Sequence, residues 1–202
     1  MSLGGGELRS FFGPLTGRTT TFVLEGRQAN LAFARTVVGL LASARVACAV
    51  LDLDAFYSSN SDIIFSSMGE LTAGSSVIRV PTPGADVEVQ LSGLFEVQQQ
   101  VIILDSLNSL YHLISLEDGS SRGRKLTFAL SSLSYLARAN GKAIVLSMYN
   151  REGSYGSGTG RSISSLSDVT ALVDASGPEL KIRCTRGPAW PGGEFSSRIP
   201  SG

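Results

Sequence analysis

The chain has 202 residues, and 43% of them are hydrophobic, which is enough to bury the core of one domain. Its 17 basic and 17 acidic residues cancel, so composition excludes a global field that would draw the protein to nucleic acid or to a membrane. The two cysteines lie in apolar runs without CxxC spacing, which favours reduced thiols over a disulfide or metal framework.

The first quarter of the chain alternates between strand and helix patterns. Residues 1–18 contain a glycine run and a Gly-Pro turn, which predicts a loop-rich start. Residues 19–24 are β-branched and aromatic and predict a strand, whereas residues 28–44 space their apolar side chains by three and four and predict a helix. Residues 46–51 predict a second strand, fully apolar, that closes on the sequence Asp52-Leu53-Asp54.

The middle of the chain is less regular at first. The Ser-rich stretch 55–76 contains one firm apolar cluster and predicts only a short helix. The segments that follow are clearer: a strand at 77–80, a helix at 87–95, a buried strand at 101–104, and a helix from Leu126 to Ala137 that ends at Asn140-Gly141.

The last third begins with a buried strand at 143–146. The Gly- and Ser-rich stretch 150–165 predicts a mobile loop, and long loops inside compact domains are usually functional. Residues 168–173 and 179–185 predict an antiparallel hairpin, because the second segment alternates apolar and polar residues, and residues 195–199 predict one more strand. The order of elements predicts one α/β domain over residues 1–202, with a mostly parallel central sheet, helices on both faces and a C-terminal antiparallel hairpin.

No segment predicts a membrane anchor. The first six residues lack a basic-then-apolar signal, and no apolar run approaches the roughly 18 residues of a membrane span. We therefore expect a cytoplasmic protein that does not bind membranes.

The buried strand at 101–104 runs directly into Asp105 and Ser106. An acid at the carboxyl end of such a strand lies where open α/β sheets bind their ligands. The alternative is an aspartate that caps the following turn. The strand by itself leaves both interpretations open.

Several motifs, taken in order, resemble those of a known family. "VIILDSLNSLY" at 101–111 is followed by a basic turn, a leucine-rich helix, "GKAIVLSMYNR" at 141–151, a glycine-rich loop and a hairpin. The opening "LGGGELRS…TTTFVLEG" adds to this order. Together they resemble the ATPase core of the RecA/RadA recombinases over nearly the full chain, and the resemblance implies a RecA-like P-loop NTPase fold.

The resemblance assigns roles to two aspartates. Asp105 would be the strand-end acid that holds Mg²⁺, directly or through water, and a carboxylate suits that hard cation. Asp54 would take the place of the residue, usually Glu, that orients the attacking water, although it is one methylene shorter. The alternative for Asp52 and Asp54 is a solvated strand end.

The phosphate-binding loop departs from the family pattern. A nucleotide site of this type needs G-x-x-x-x-G-K-[ST] between the first strand and its helix. At that place the chain has Glu25-Gly26-Arg27-Gln28-Ala29-Asn30, so the candidate nucleotide-binding residues are Gly26, Arg27 and Asn30. A near-match at Gly13 to Thr19 precedes a strand instead of a helix, and we interpret it as a turn. The sensor pair Asn-Gln of the family is replaced by Met148-Tyr149.

Cations and one aromatic residue occupy the two segments that match the DNA-binding loops of the family. The candidate DNA-binding residues are Arg122, Arg124, Lys125, Arg151, Tyr155 and Arg161. Cations on flexible loops with an aromatic side chain are typical of single-strand binding. The alternative is an ordinary solvated surface.

Two further residues receive structural interpretations. His112, the single histidine, has no second His or Cys nearby, so zinc ligation is disfavoured. Trp190 lies in a turn rich in Gly and Pro, and we expect it to be a packing anchor.

The resemblance and its departures lead to one function hypothesis and two alternatives. We expect a RadA-paralogue-like accessory protein of DNA recombination and repair that binds a recombinase or another paralogue, single-stranded DNA, or both. Because the N-terminal domain and linker used for polymerisation are absent from this sequence, we expect an accessory subunit rather than a filament former. The degenerate phosphate loop favours a protein that needs no cofactor. The alternatives are an active ATPase that uses ATP and Mg²⁺ through an unusual loop, and a RecA/KaiC-like regulatory module without a DNA role.

Overall fold

The computed structural model describes residues 5–65, 77–79, 87–117, 122–150, 166–187 and 189–199. The loop predicted at 150–165 lies outside them from residue 151 onward, as do parts of the stretches 55–76 and 77–80.

Eight strands and seven α-helices account for most of the described chain. The strands are β1 (Thr19–Glu25), β2 (Cys48–Asp52), β3 (Val77–Arg79), β4 (Val101–Asp105), β5 (Ala143–Asn150), β6 (Val169–Ser176), β7 (Glu179–Arg186) and β8 (Glu194–Arg198). The α-helices are α1 (Gly5–Phe12), α2 (Gly26–Ser43), α3 (Phe56–Ser59), α4 (Ser61–Ile64), α5 (Val87–Ser92), α6 (Leu107–Glu117) and α7 (Arg122–Asn140). Short 3-10 helices lie at Gly13–Leu15, Gly93–Phe95 and Pro191–Gly193.

The strands form one sheet in the order β3-β2-β4-β5-β1-β6-β7-β8. From β3 to β6 every neighbouring pair is parallel, and β7 and β8 join in antiparallel pairing. This arrangement confirms the predicted mostly parallel sheet with an antiparallel extension.

The parallel strands are buried on both faces because each face packs against its own helices. On one face, Phe22 and Leu24 of β1 belong to a core that includes α1 and α2. On the other face, Val23 belongs to a second core built with α6 and α7. Within the described part of the chain, no helix is long and apolar enough to cross a bilayer.

The expectation that residues 1–18 are mostly loop is wrong. Residues 5–12 form α1, and a 3-10 turn at 13–15 follows it. Phe11 is fully buried against the rings of Phe22, Trp190 and Phe195. The helix is therefore stabilised by tertiary packing of its aromatic residues, which the local glycines do not reveal.

Helix α6 is absent from the predicted element order, and His112 lies exposed on this helix. Its buried side chains Leu107, Leu110 and Ile114 are spaced by three and four. The polar residues between them weaken that pattern in the sequence. Helix α7 also begins at Arg122, before the predicted start at Leu126.

Candidate functional site

The carboxyl ends of β1, β2, β4 and β5 meet at one edge of the sheet. Asp52 lies in register with Asp105 on adjacent strands, and Leu24 lies in register with Tyr149. The backbone N–H of Leu53 donates to the carbonyl of Asp105, 2.6 Å away, which ties the ends of β2 and β4 together. Parallel strands thus bring the polar ends of separate segments to one place.

Asp105 is fully buried at this edge. Its Oδ1 accepts hydrogen bonds from the hydroxyl of Ser147 and from the hydroxyl of Tyr149, the latter at 2.7 Å. Its Oδ2 is buried and has no hydrogen-bond partner among the described residues. Burial raises the pKa of Asp105 to about 6, and the nearby carboxylates of Asp54 and Asp52 add to that rise, against the two hydroxyl hydrogen bonds, which lower it.

Tyr149 connects Asp105 to the start of α2. The amide nitrogen of Asn30 donates to the Tyr149 hydroxyl at 3.0 Å, and the same hydroxyl donates to Asp105. Asn108 holds the Tyr149 backbone through hydrogen bonds to both its N–H and its carbonyl. Burial, followed by the charge of Asp105, raises the pKa of Tyr149, so its hydroxyl stays protonated and donates. The Tyr149 hydroxyl therefore lies between the Asp105 carboxylate and helix α2 and is hydrogen-bonded to both.

Asp52, the last residue of β2, and Asp54, two residues later, lie in different environments. Asp52 is fully buried, and its carboxylate accepts the backbone N–H groups of Tyr57 at 3.1 Å and Ser58 at 2.8 Å. Asp52 is therefore a structural acceptor for the turn into α3, not a solvated strand end. Asp54 is exposed, and its carboxylate accepts the hydroxyls of Ser106 and Ser109.

Strand β1 passes directly into α2, because β1 ends at Glu25 and α2 begins at Gly26. Gly26 has φ of 85°, a conformation that favours glycine and that turns the chain from strand into helix within one residue. No residues remain between the two elements to wrap a phosphate with backbone N–H groups. Arg27 and Asn30 lie in the first turns of α2, and Asn30 is buried against Tyr149.

The upstream near-match lies at the other edge of the sheet. Arg18 immediately precedes β1, and its N–H donates to the carbonyl of Leu15. The seven residues of β1 separate it from the carboxyl edge, a distance of roughly 23 Å at the usual strand rise. Arg18 therefore cannot contact a ligand at the edge where Asp105 lies.

A cavity of about 820 Å³ opens at the carboxyl edge. Its walls include Gly26, Asn30, Asp54, Phe56 and Tyr149. That volume suits a ligand of ordinary small-molecule size. The structure thus brings together Gly26, Asn30 and Asp54 of the predicted site residues, with Asp105 linked to them through Tyr149.

The described residues lack the phosphate loop that a magnesium–nucleotide complex of this type uses. Magnesium needs about six oxygen ligands in octahedral geometry and retains several waters, yet Asp105 is fully buried and one of its oxygens already accepts two hydroxyls. Among the described residues, no group of three or more His, Cys, Asp or Glu side chains could hold a metal ion. A phosphate in the cavity would lie near the Asp54 carboxylate on the cavity wall, and no loop between β1 and α2 would wrap it with backbone N–H groups.

The candidate DNA-binding residues are placed only in part. Arg122, Arg124 and Lys125 lie in the first turn of α7, so their assignment to a loop is wrong. Arg124 is exposed and Lys125 is half-buried. Arg151, Tyr155 and Arg161 lie outside the described residues.

The polar residues that surround Asp105 are not among the site residues predicted from the sequence. Ser147 and Tyr149 donate to its carboxylate, and Asn108 orients Tyr149. The signal that could have found them is Ser147, a polar residue in the otherwise apolar strand 143–148. A hydroxyl within a strand buried on both faces needs a partner, and the acid at the end of the neighbouring strand is that partner.

A scan against protein-family models finds no match, and no curated protein matches the sequence. Among solved structures, the fold is similar to the crystal structure of the RadB recombinase, with a TM-score of 0.72 over 98% of this chain and 96% of that chain. The sequence identity is 16%, so the likeness shows the fold alone. The chain has the core fold of the RecA/RadA-type recombinases, which confirms the fold implied by the sequence motifs.

Proposed function

We propose that the protein is a RadA-paralogue-like accessory protein of DNA recombination and repair, in which ATP hydrolysis is lost or weak. It acts in the cytoplasm as one RecA-like core domain over residues 1–202. It binds a recombinase or another paralogue, single-stranded DNA, or both. The observation that carries this proposal is the direct passage of β1 into α2 at Gly26, which leaves no loop to hold phosphates.

Two features of the site support the loss of hydrolysis. The Tyr149 hydroxyl bridges Asn30 and Asp105, and together with the Ser147 hydroxyl it occupies Oδ1 of Asp105, one of the two oxygens that a bound metal or its waters would contact. The carboxylate of Asp54 accepts the hydroxyls of Ser106 and Ser109, which compete with an attacking water molecule for it.

Calorimetry with Mg-ATP tests the nucleotide part of the proposal. We expect no heat of binding at micromolar concentrations and no phosphate release, and we expect Asp105→Asn to behave like the wild type in both assays. Micromolar binding with turnover that disappears in Asp105→Asn would show instead an active ATPase with an unusual phosphate loop. In that alternative Asp54 is the base and Arg27 contacts phosphate.

Fluorescence anisotropy with a single-stranded oligonucleotide across a salt series tests the DNA part. We expect binding that weakens with salt, because Arg122, Arg124 and Arg151 contact phosphates. Their triple replacement by Ala should weaken binding at least tenfold. A matched triple variant of exposed cations at the far edge of the sheet, Lys181, Arg183 and Arg198, should bind like the wild type.

The second candidate is a RecA/KaiC-like regulatory module without a DNA role. The cavity of about 820 Å³ at the carboxyl edge favours it, because a pocket retained without a phosphate loop can still bind a small ligand. Two measurements separate the candidates: oligonucleotide binding at low salt, and complex formation with a RecA-type recombinase in size-exclusion chromatography. If the protein forms the complex but does not bind the oligonucleotide, the DNA role is removed and the partner-binding role remains.

A further inference from the structure

Helix α7 (Arg122–Asn140) presents two large aromatic side chains to solvent. Phe128 is 72% exposed and Tyr135 is 69% exposed, the highest values among the exposed large hydrophobic residues of the described chain. The opposite face of the same helix is buried in the core through Leu126, Leu130, Leu133 and other residues. Core packing therefore does not explain the two aromatic rings.

The exposed residues of α7 follow the spacing of a helix-packing seam. Arg124, Phe128, Ser131, Tyr135 and Arg138 are exposed and are separated by four, three, four and three residues. We call these five residues the α7 seam. That spacing places them in one stripe, and it is the spacing with which one helix packs along another. Phe128 and Tyr135 lie about 10.5 Å apart along the axis, with the small Ser131 between them.

The charges of the α7 seam lie at its two ends. Arg124 and Arg138 are 14 positions apart, which corresponds to about 21 Å of helix. The Arg138 guanidinium is held in place by Asp168 and remains 66% exposed. Helix α7 contains four basic residues and no acidic residue, although the whole chain is neutral. The seam is thus apolar in the middle and carries a guanidinium at each end, of which Arg138 is paired with Asp168 and offers its exposed N–H groups as donors.

We propose that the α7 seam binds an amphipathic helix of a partner protein, with apolar residues in its middle and carboxylates about two heptads apart. Interfaces are enriched in Phe, Tyr and Arg, and buried aromatic residues commonly supply most of the binding energy. This inference rests on the proposed role as a partner-binding protein, and it identifies the surface and the chemistry of the partner segment.

Other occupants fit the α7 seam less well. A single strand of nucleic acid carries a charge at every nucleotide, whereas Phe128, Ser131 and Tyr135 offer it no cation between the ends. A second copy of this helix would bring four basic residues against four, and neither helix carries a carboxylate of its own, since Asp168, which pairs with Arg138, lies outside the helix. The charge pattern therefore favours an acidic helix.

A synthetic acidic helical peptide tests the inference without nucleotide or DNA. The peptide has leucines at heptad positions a and d of its middle and glutamates at both ends, and a matched peptide has lysines in place of the glutamates. In fluorescence anisotropy we expect the acidic peptide to bind and the basic peptide to bind at least tenfold more weakly. The double variant Phe128→Ser/Tyr135→Ser should weaken acidic-peptide binding at least tenfold.

Two variants make the result specific to the α7 seam. Val89→Ser changes a side chain that is 63% exposed on α5, and it should leave binding unchanged. Arg124→Glu should reduce binding of the acidic peptide and increase binding of the basic one. Circular dichroism checks that each variant is folded.

Three outcomes would overturn the inference. The first is acidic-peptide binding that is absent, or equal in the wild type and the double variant. The second is oligonucleotide binding that falls in the double variant, which would make the α7 seam a nucleic-acid surface. The third is self-association of the wild type that the double variant abolishes in analytical ultracentrifugation. Arg124 belongs both to the α7 seam and to the proposed DNA contacts, but the peptide assay contains neither ATP nor DNA, so failure of ATP or DNA binding leaves this test unaffected.

Discussion

Asp105 carries a charge in a fully buried position, and its surroundings only partly compensate for lost hydration. The hydroxyls of Ser147 and Tyr149 stabilise the carboxylate, whereas burial and the neighbouring carboxylates of Asp54 and Asp52 destabilise it. The net result is a pKa raised from 3.8 to about 6. Ionised Asp105 therefore lowers the stability of the folded protein at neutral pH. A binding role for this edge of the sheet would explain why a destabilising residue lies there.

The pH dependence of stability follows from that raised pKa. Because the folded chain holds the Asp105 proton more strongly than the unfolded chain does, stability falls as pH rises from about 4 through 6. A rise of about two pKa units corresponds to roughly 3 kcal/mol. We expect Asp105→Asn to gain stability over the wild type by up to about that amount between pH 4 and pH 7, measured by urea unfolding.

Two further variants test the cause of this shift. Asp62→Asn, at an exposed position, should show no such pH-dependent gain. Tyr149→Phe removes a hydroxyl that lowers the pKa of Asp105, so the fall in stability should extend to higher pH. A stability difference between Asp105→Asn and wild type that stays constant across this range would contradict the explanation.

At the scale of elements, α1 shows how a helix can depend on contacts from the other end of the chain. The ring of Phe11 stacks against Trp190 with centroids 5.7 Å apart, and the Trp190 indole N–H donates to the Phe11 carbonyl at 3.2 Å. These contacts confirm the expected role of Trp190 as a packing anchor. They join the first helix to the segment before β8, although about 180 residues of sequence separate them.

Replacing Phe11 tests the contribution of this cluster. We expect Phe11→Ala to lower the free energy of unfolding by about 3–5 kcal/mol, because it removes a fully buried ring and leaves a cavity. The fluorescence of Trp190, the only tryptophan, should change with it. The control is Arg9→Ala on the exposed side of α1, which should change stability by less than about 0.5 kcal/mol. Equal effects of the two variants would show that α1 does not depend on this packing.

At the scale of the whole molecule, burial and strand position decide which parts of the sheet are most stable. Strand β1 lies between β5 and β6, and six of its seven residues are buried. Among the described strands, β8 pairs with β7 alone, and most of its residues are exposed or half-buried. The interior of the parallel sheet should therefore open only when the whole protein unfolds, whereas the antiparallel edge opens locally.

Amide hydrogen exchange measured by mass spectrometry tests this difference. We expect peptides from β1, β4 and β5 to exchange slowest, with protection close to the free energy of global unfolding. Peptides from β8 should exchange at least tenfold faster. Equal protection of β8 and β1 would mean that the sheet unfolds as a single unit including its antiparallel edge.

The sequence by itself determined the class of fold and the position of the central acid. Fully apolar runs such as residues 101–104, separated by helical spacing, predict a covered parallel sheet, because such strands must be buried on both faces. The position of Asp105 follows from the same argument. The absence of a standard phosphate motif after β1 is also visible in the sequence, since Gly26 is followed directly by Arg27 and not by a lysine.

Only the tertiary structure decided what surrounds that acid and what lies at the chain ends. Asn30, Asp105 and Tyr149 belong to three separate elements, and the hydrogen bonds between them arise from the order of strands in the sheet. Helix α1 forms because Phe11 packs against residues near the opposite end of the chain, and the exposure of Phe128 and Tyr135 depends on which face of α7 the sheet covers. Local sequence cannot specify such contacts, because their energy comes from partners distant in the chain.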